Sequence, residues 1–199
     1  MTEIWETVAN EAAGWLHPDE GPALRRHATS VAHLGPLAEI GGYAGKSACW
    51  LGSVAKEHDT VLFSIDWHRG SPEMAVGREC HHPEMIGADG LFDSLPHFRR
   101  NLRSAGLEEW VVPVAGASPL VGSYWRIPLA FLFVDGAHDG PGVRADYDLW
   151  NEWVMSGGIL AFHDTTIPEI GATADLAVAE GGFGFVEQID SLRILRCAK

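Results

Sequence analysis

Residues 37–66 read LAEIGGYAGKSACWLGSVAKEHDTVLFSID. Leu37 to Gly41 is a short apolar run that ends in a glycine-rich turn, and it reads as a strand. From Lys46 to Glu57, Cys49, Trp50, Val54 and the neighbouring alanines give a helical pattern. Val61 to Asp66 is a second apolar strand, closed by an acid. Strand, helix, strand is the unit from which mostly parallel sheets are built.

The rest of the chain repeats this unit. Upstream, Ile4, Val8, Ala12, Trp15 and Leu16 share one helical face that ends at His17-Pro18. A second helix is expected from Pro22 to Leu34, stopped by Gly35-Pro36. Downstream, residues 67–92 have no clear period and read as a long loop. Leu95, Phe98, Leu102 and Ala105 mark a helix ending at Gly106. Strands are expected at Trp110–Val114, Ala130–Asp135 and Gly158–His163, and helices at Ala145–Met155 and 168–180. Residues 183–188 and 192–196 form a hairpin around Ile189-Asp190-Ser191. Five alternating strands and this hairpin make a seven-stranded α/β sheet with helices on both faces. Phe131-Leu132-Phe133-Val134 is continuously apolar, as a strand buried on both faces should be. No linker divides the chain, so 1–199 is expected to be one domain, with 1–35 as a helical cap.

Composition narrows the function. The chain has 199 residues, with 14 Lys+Arg against 27 Asp+Glu, a net charge of −13. That balance argues against nucleic acid and against a membrane surface as partner, because both are bound through clustered Lys and Arg. Hydrophobic content of 46% excludes a disordered chain. Cys49, Cys80 and Cys197 form no CxxC pair, which points to a reducing, cytoplasmic setting and away from thiolate zinc.

In an open parallel sheet, ligands bind at the carboxyl ends of the strands. Polar groups gather at five such ends: Glu39 to Ser47, Asp66 to Arg69, Gly116-Ala117-Ser118, Asp135 to Asp139, and His163-Asp164-Thr165. The glycine loop leads into a helix N-terminus, where backbone N–H groups can hold an anion. Gly45-Lys46-Ser47 fits the end of a phosphate-binding P-loop, but Gly41 makes that loop one residue short, and Tyr43 breaks a GxGxxG fingerprint. Asp66, 27 residues after Glu39, can accept hydrogen bonds from ribose hydroxyls.

Glu39-Ile-Gly-Gly-Tyr-Ala-Gly-Lys-Ser47 resembles the ExGxxxGxS loop of class I S-adenosylmethionine (SAM) methyltransferases, in particular the metal-dependent catechol and macrocin O-methyltransferase branch. The resemblance covers roughly residues 37–197. It implies a Rossmann-like sheet in the order 3-2-1-4-5-7-6 with strand 7 antiparallel. It implies that Glu39, Gly41, Gly45 and Ser47 hold the methionine end of SAM. Asp66 would then hold the ribose, Trp67 would pack on adenine and Ser118 would border the adenine edge. Asp135 and Asp164 would bind Mg²⁺, with His138, three residues after Asp135, as general base. His163 stands where the family has an oxygen donor, so it is either a group behind the ligands or the mark of a softer metal such as Mn²⁺. Asp139, Asp146 and Asp148 read as surface charges.

Trp67-His68-Arg69-Gly70-Ser71, the stretch Phe92 to Leu102 and the Asp135-Gly-Ala-His138 pattern are similar to small actinobacterial sugar methyltransferases, including ones acting on mannosides. The loop 67–92, with His68, Arg69, Glu73, Arg78, His81, His82 and Glu84, reads as a polar substrate lid. The expectation is a metal-dependent O-methyltransferase acting on a sugar or oligosaccharide hydroxyl. A homodimer is expected from family habit. The rivals are a phenol or catechol acceptor, a P-loop-like nucleotide binder, and a SAM-binding module without catalysis.

Overall fold

The computed structural model describes residues 3–71, 74, 82–136 and 139–198. Its centre is a seven-stranded sheet: β1 Leu37–Ile40, β2 Leu62–Asp66, β3 Val111–Ala115, β4 Leu129–Val134, β5 Val154–Phe162, β6 Phe183–Ile189 and β7 Leu192–Cys197. The spatial order is 3-2-1-4-5-7-6, as expected. Strands β1 to β5 are mutually parallel, and β7 runs antiparallel to both β5 and β6. The order reverses between β1 and β4, which opens a crevice at their carboxyl ends.

Strand β4 shows why the apolar run had to lie in the middle. Ala130, Phe131 and Phe133 enter one core with Leu24, Trp50, Leu51 and Phe98. Leu129, Leu132 and Val134 enter the opposite core with Trp150, Tyr147 and Phe162. From Phe131 to Val134 the period of two sends alternate side chains to the two faces, while the irregularity between Leu129 and Phe131 leaves Ala130 on the same side as Phe131; helices cover both faces. On the first face lie α1 Ile4–Glu11, α2 Glu20–Val31, α3 Lys46–Glu57 and α4 Leu95–Ala105; on the second lie α5 Ser118–Tyr124, α6 Gly140–Trp150 and α7 Pro168–Ala179. Trp5 of α1 meets Trp50 of α3 edge to face, 5.2 Å between ring centres.

Several boundaries differ from the expected ones. Helix α1 stops at Glu11, so Trp15 and Leu16 lie beyond it rather than on its face. Gly14 takes φ +144° just past its end, and the Lys46 ammonium, reaching across from α3, donates to the carbonyls of Ala9 (3.0 Å) and Asn10 (3.1 Å) at the helix end. Helix α6 begins at Gly140 rather than Ala145 because Asp139 caps it, accepting from the Gly142 amide at 2.7 Å, with Pro141 in the first turn. The helical part ends earlier, and β5 starts at Val154. The short helix α5 had no expectation attached to it; Pro119 in its first turn is its sequence mark.

Candidate functional site

At the carboxyl end of β1 the chain turns sharply through Gly41, at φ +94°. A Cβ there would fall 2.1 Å from the Asp135 carbonyl oxygen, so only glycine lets the loops after β1 and β4 run this close. Gly45, at φ +90°, is the N-cap of α3. Ser47 is buried in the first turn of that helix.

Glu39 is fully buried within β1. The Ser64 hydroxyl donates to its Oε1 at 2.6 Å, while Oε2 has no hydrogen-bond partner among the described residues. Burial pushes its pKa up to about 7, against the hydroxyls of Ser64 and Ser47. An unsatisfied buried carboxylate oxygen is a place for a donor from a ligand.

Asp66, at the end of β2, accepts from the Tyr43 amide and from the His68 amide, each at 2.7 Å. It thereby ties the glycine loop to the chain after β2, and each oxygen keeps a lone pair for a further donor. Trp67 is exposed, its indole N–H bonded to the Gly70 carbonyl at 3.0 Å. Ser118 accepts from the Trp150 indole at 3.0 Å and donates to Asp146.

Asp146 corrects the sequence reading. It is buried, not a surface charge, and burial raises its pKa to about 6 against the Ser118 hydrogen bond. The signal was present in the spacing. Val143, Tyr147 and Trp150 mark the buried face of α6, and Asp146 lies on it.

At the ends of β4 and β5, Asp135, His163 and Asp164 offer ligand atoms that all lie within 4.8 Å of one another. His163 is buried, and its Nδ1 lies 3.0 Å from Asp135 Oδ1 and 3.4 Å from Asp164 Oδ1 without a well-aligned hydrogen bond to either. Its Nε2 faces Glu20 Oε2 at 2.9 Å. Burial opposes a charge on this ring, but Asp135, Asp164 and Glu20 together outweigh it and raise the pKa well above the usual histidine range. Glu20, from the N-terminal cap, is a residue the sequence reading did not pick out.

Most of these groups line one cavity of about 560 Å³, within the range of small-molecule sites; Glu39, Gly45 and Glu20 are not part of its wall. Its wall includes Gly41 of the β1 loop and Ser47 of α3, then Asp66, Trp67, Ser118, Asp135, Asp146, His163 and Asp164. Trp15, Tyr43, Met74 and Phe92 also line it. The ring of Tyr43 lies 5.2 Å from that of Trp15 and 6.3 Å from that of Phe92. The Lys46 ammonium is held by the end of α1, which removes the cation a P-loop would turn toward phosphate.

The loop expectation needs correction where it is described. His68 is not an open lid group. It is buried, its Nδ1 bonded to the Ser94 hydroxyl at 2.8 Å, and burial holds its pKa below the ordinary value. Glu73, Arg78, Cys80, His81 and the expected base His138 lie outside the described residues.

Residues 38–165 match the family model described as a methyltransferase domain. Among solved structures, the chain is similar to the O-methyltransferase NovP (18% identity, TM-score 0.74, covering 98% of this chain and 88% of that one). It is also similar to the O-methyltransferase TomG from Streptomyces achromogenes, involved in tomaymycin synthesis and solved with SAM (13%, TM-score 0.69, 100% and 91%). An rRNA methylase from Streptococcus thermophilus shares the fold as well (12%, TM-score 0.60, 94% and 100%). At these identities the likeness establishes the fold, and the acceptor must be argued from the site.

Proposed function

The chain belongs to the methyltransferase-domain family, and from that premise we propose that it transfers a methyl group from SAM to a hydroxyl of a sugar or oligosaccharide, such as a mannoside, with a divalent cation at Asp135, His163 and Asp164. One observation carries the reading: a single cavity joins Asp66 and the β1 glycine loop to the Asp135–His163–Asp164 cluster. The first set suits a cofactor with ribose hydroxyls. The second suits an acceptor hydroxyl, which is a poor nucleophile at neutral pH.

The residues do the following in this scheme. Glu39 takes the cofactor's ammonium on its unpartnered Oε2. Asp66 holds the ribose, while Trp67 and Ser118 border the adenine. Mg²⁺ or Mn²⁺, when bound, would supply Lewis acidity that lowers the acceptor's pKa. The donor set fits such an ion: two carboxylates and a buried imidazole nitrogen aimed between them. His138, three residues after Asp135, takes the acceptor's proton. The net charge of −13 disfavours an RNA acceptor despite the fold shared with the rRNA methylase.

A phenol or catechol acceptor is the second reading, favoured by the aromatic walls Trp15, Tyr43 and Phe92. Such rings also stack on the C–H faces of sugars.

Methyl transfer from radiolabelled SAM, run over mannosides, free sugars and catechols with and without chelator, tests the proposal. Label on a saccharide that disappears with chelator supports it. Label on catechol alone supports the second reading. No transfer to any hydroxyl, with SAM bound, overturns both. His138→Ala should lower turnover roughly 10²–10⁴-fold with SAM affinity retained. Unchanged turnover removes His138 from the reaction.

A further inference from the structure

Nothing in the chemistry above calls on the N-terminal helices, yet one of their residues reaches the centre of it. Glu20 opens α2, is fully shielded from solvent, and uses both carboxylate oxygens. Oε1 accepts from the Ser191 amide at 3.0 Å and the Ser191 hydroxyl at 2.7 Å. Oε2 accepts from the His17 amide at 2.8 Å and faces His163 Nε2 at 2.9 Å. Four contacts from three segments fix this carboxylate, and it in turn fixes the imidazole.

We propose that Glu20 is a positioning residue that presents His163 Nδ1 as the nitrogen ligand of the metal centre, making it a two-carboxylate, one-imidazole site that takes Mn²⁺ in preference to Mg²⁺. The inference rests on the metal-assisted reading above.

The geometry supports it in three ways. Nε2 is committed to Glu20, so Nδ1 is the nitrogen left to face Asp135 and Asp164. That Nδ1 is buried and close to both carboxylates but aligned with neither, as a donor aimed at a point between them would be. The Phe133 ring, 6.2 Å away and nearly perpendicular, closes one side of the imidazole. Metal-bound histidines characteristically give their other ring nitrogen to a carboxylate, which orients the ring and raises its basicity. Mg²⁺ prefers oxygen donors, whereas an imidazole suits a transition-metal ion.

The test uses the full chain labelled with ¹⁵N-histidine, with MnCl₂ or MgCl₂ alone as the probe. Affinities come from titration calorimetry in the presence of S-adenosylhomocysteine (SAH), and the ligand nitrogen from pulsed electron paramagnetic resonance of bound Mn²⁺. Expected are at least tenfold tighter binding of Mn²⁺ than of Mg²⁺, and an imidazole nitrogen coupling that His163→Gln abolishes. Glu20→Gln should weaken Mn²⁺ binding about 10–100-fold while SAH affinity stays the same. A merely structural Glu20 would move both affinities or neither.

Mn²⁺ bound without nitrogen coupling overturns the proposal, as does an SAH-competent Glu20→Gln variant with unchanged Mn²⁺ affinity. Both outcomes leave the metal-assisted reading standing. A wild-type chain that binds SAH but neither cation overturns that reading and this one together. If Glu20→Gln does not fold, the wild-type nitrogen coupling and the Mn²⁺ preference still decide.

Discussion

Two glutamates are sealed from solvent at the same edge of the sheet, and their surroundings drive them in opposite directions. Glu39, on β1, accepts from Ser64 on one oxygen and has no hydrogen-bond partner on the other among the described residues, and burial lifts its pKa to about 7. Glu20, on α2, is buried as fully by side-chain exposure, yet His163, Ser191 and the His17 amide hold its pKa below the ordinary value against that burial. Burial alone therefore does not set the charge of a buried acid; the count of donors does. The Glu20 side is complete within the protein and ties the N-terminal cap to the sheet. The Glu39 side keeps one oxygen without a partner among the described residues, the place where the cofactor's ammonium would complete the set in the proposed scheme.

The contrast breaks most visibly by removing Glu20. Glu20→Ala leaves the Ser191 donors unanswered and His163 without its outer partner. The expected loss is about 3–5 kcal/mol, the cost of stranding one member of a buried ion pair, read as a lower urea midpoint at pH 7. Because Glu20's folded pKa is depressed, its stabilisation is present above the ordinary carboxylate value and is lost as pH falls through the folded value. The wild type and Glu20→Ala curves should therefore converge in acid. A variant as stable as wild type at pH 7 would mean that the two helices dock on apolar contacts alone.

Glu39→Gln should act with the opposite sign. A folded pKa raised to about 7 means that stability is fully present below about 4.5 and is lost as pH rises through 7. Gln keeps an acceptor for Ser64 and has no charge to bury. The variant should be more stable than wild type at pH 8, by up to about 3 kcal/mol, and about equal at pH 4.5. In the same scheme, wild-type SAH affinity climbs as pH rises toward 7, and the variant loses both the climb and most of the affinity. A Glu39→Gln protein that binds SAH normally would take Glu39 out of the cofactor site.

The two regions were also unequally legible in the sequence. The glycine loop, the strands around it and Asp66 are local signals: a turn chemistry, a helix pattern and an acid at a strand end lie within thirty residues. The sheet order followed from alternation and the family resemblance, and it is what the structure has. Glu20 was not legible, because the partners that bury it beyond its own turn, His163 and Ser191, are 143 and 171 residues away in the chain and no local pattern marks an acid at a helix start as buried. His68 misled for the complementary reason. It sits among polar loop residues, but Ser94 and Phe98 draw it inside. Boundaries slipped where a glycine or a cap outweighed periodicity, as at Gly14 and Asp139.

Asp146 is the intermediate case and the finest test of the contrast. Like Glu39 it is buried with one serine donor, and burial raises its pKa, here to about 6. Unlike Glu39 it lies on a helix and lines the cavity wall. Its pH effect should have the same sign as that of Glu39 and a smaller size. Asp146→Asn should stabilise the protein above pH 6 by up to about 3 kcal/mol, a little less than Glu39→Gln, with no gain below pH 4. Asp146→Leu removes the same charge and also strands the Ser118 hydroxyl, so it should be about 1–2 kcal/mol less stable than Asp146→Asn at every pH. The difference between the two variants in chemical denaturation isolates the hydrogen bond from the charge. Equal stabilities would show that the Ser118 hydroxyl loses nothing measurable when its acceptor is removed. In that event the raised pKa of Asp146 would come from burial alone, and Asp146 would part from Glu39, whose raised pKa is held down by the Ser64 and Ser47 hydroxyls.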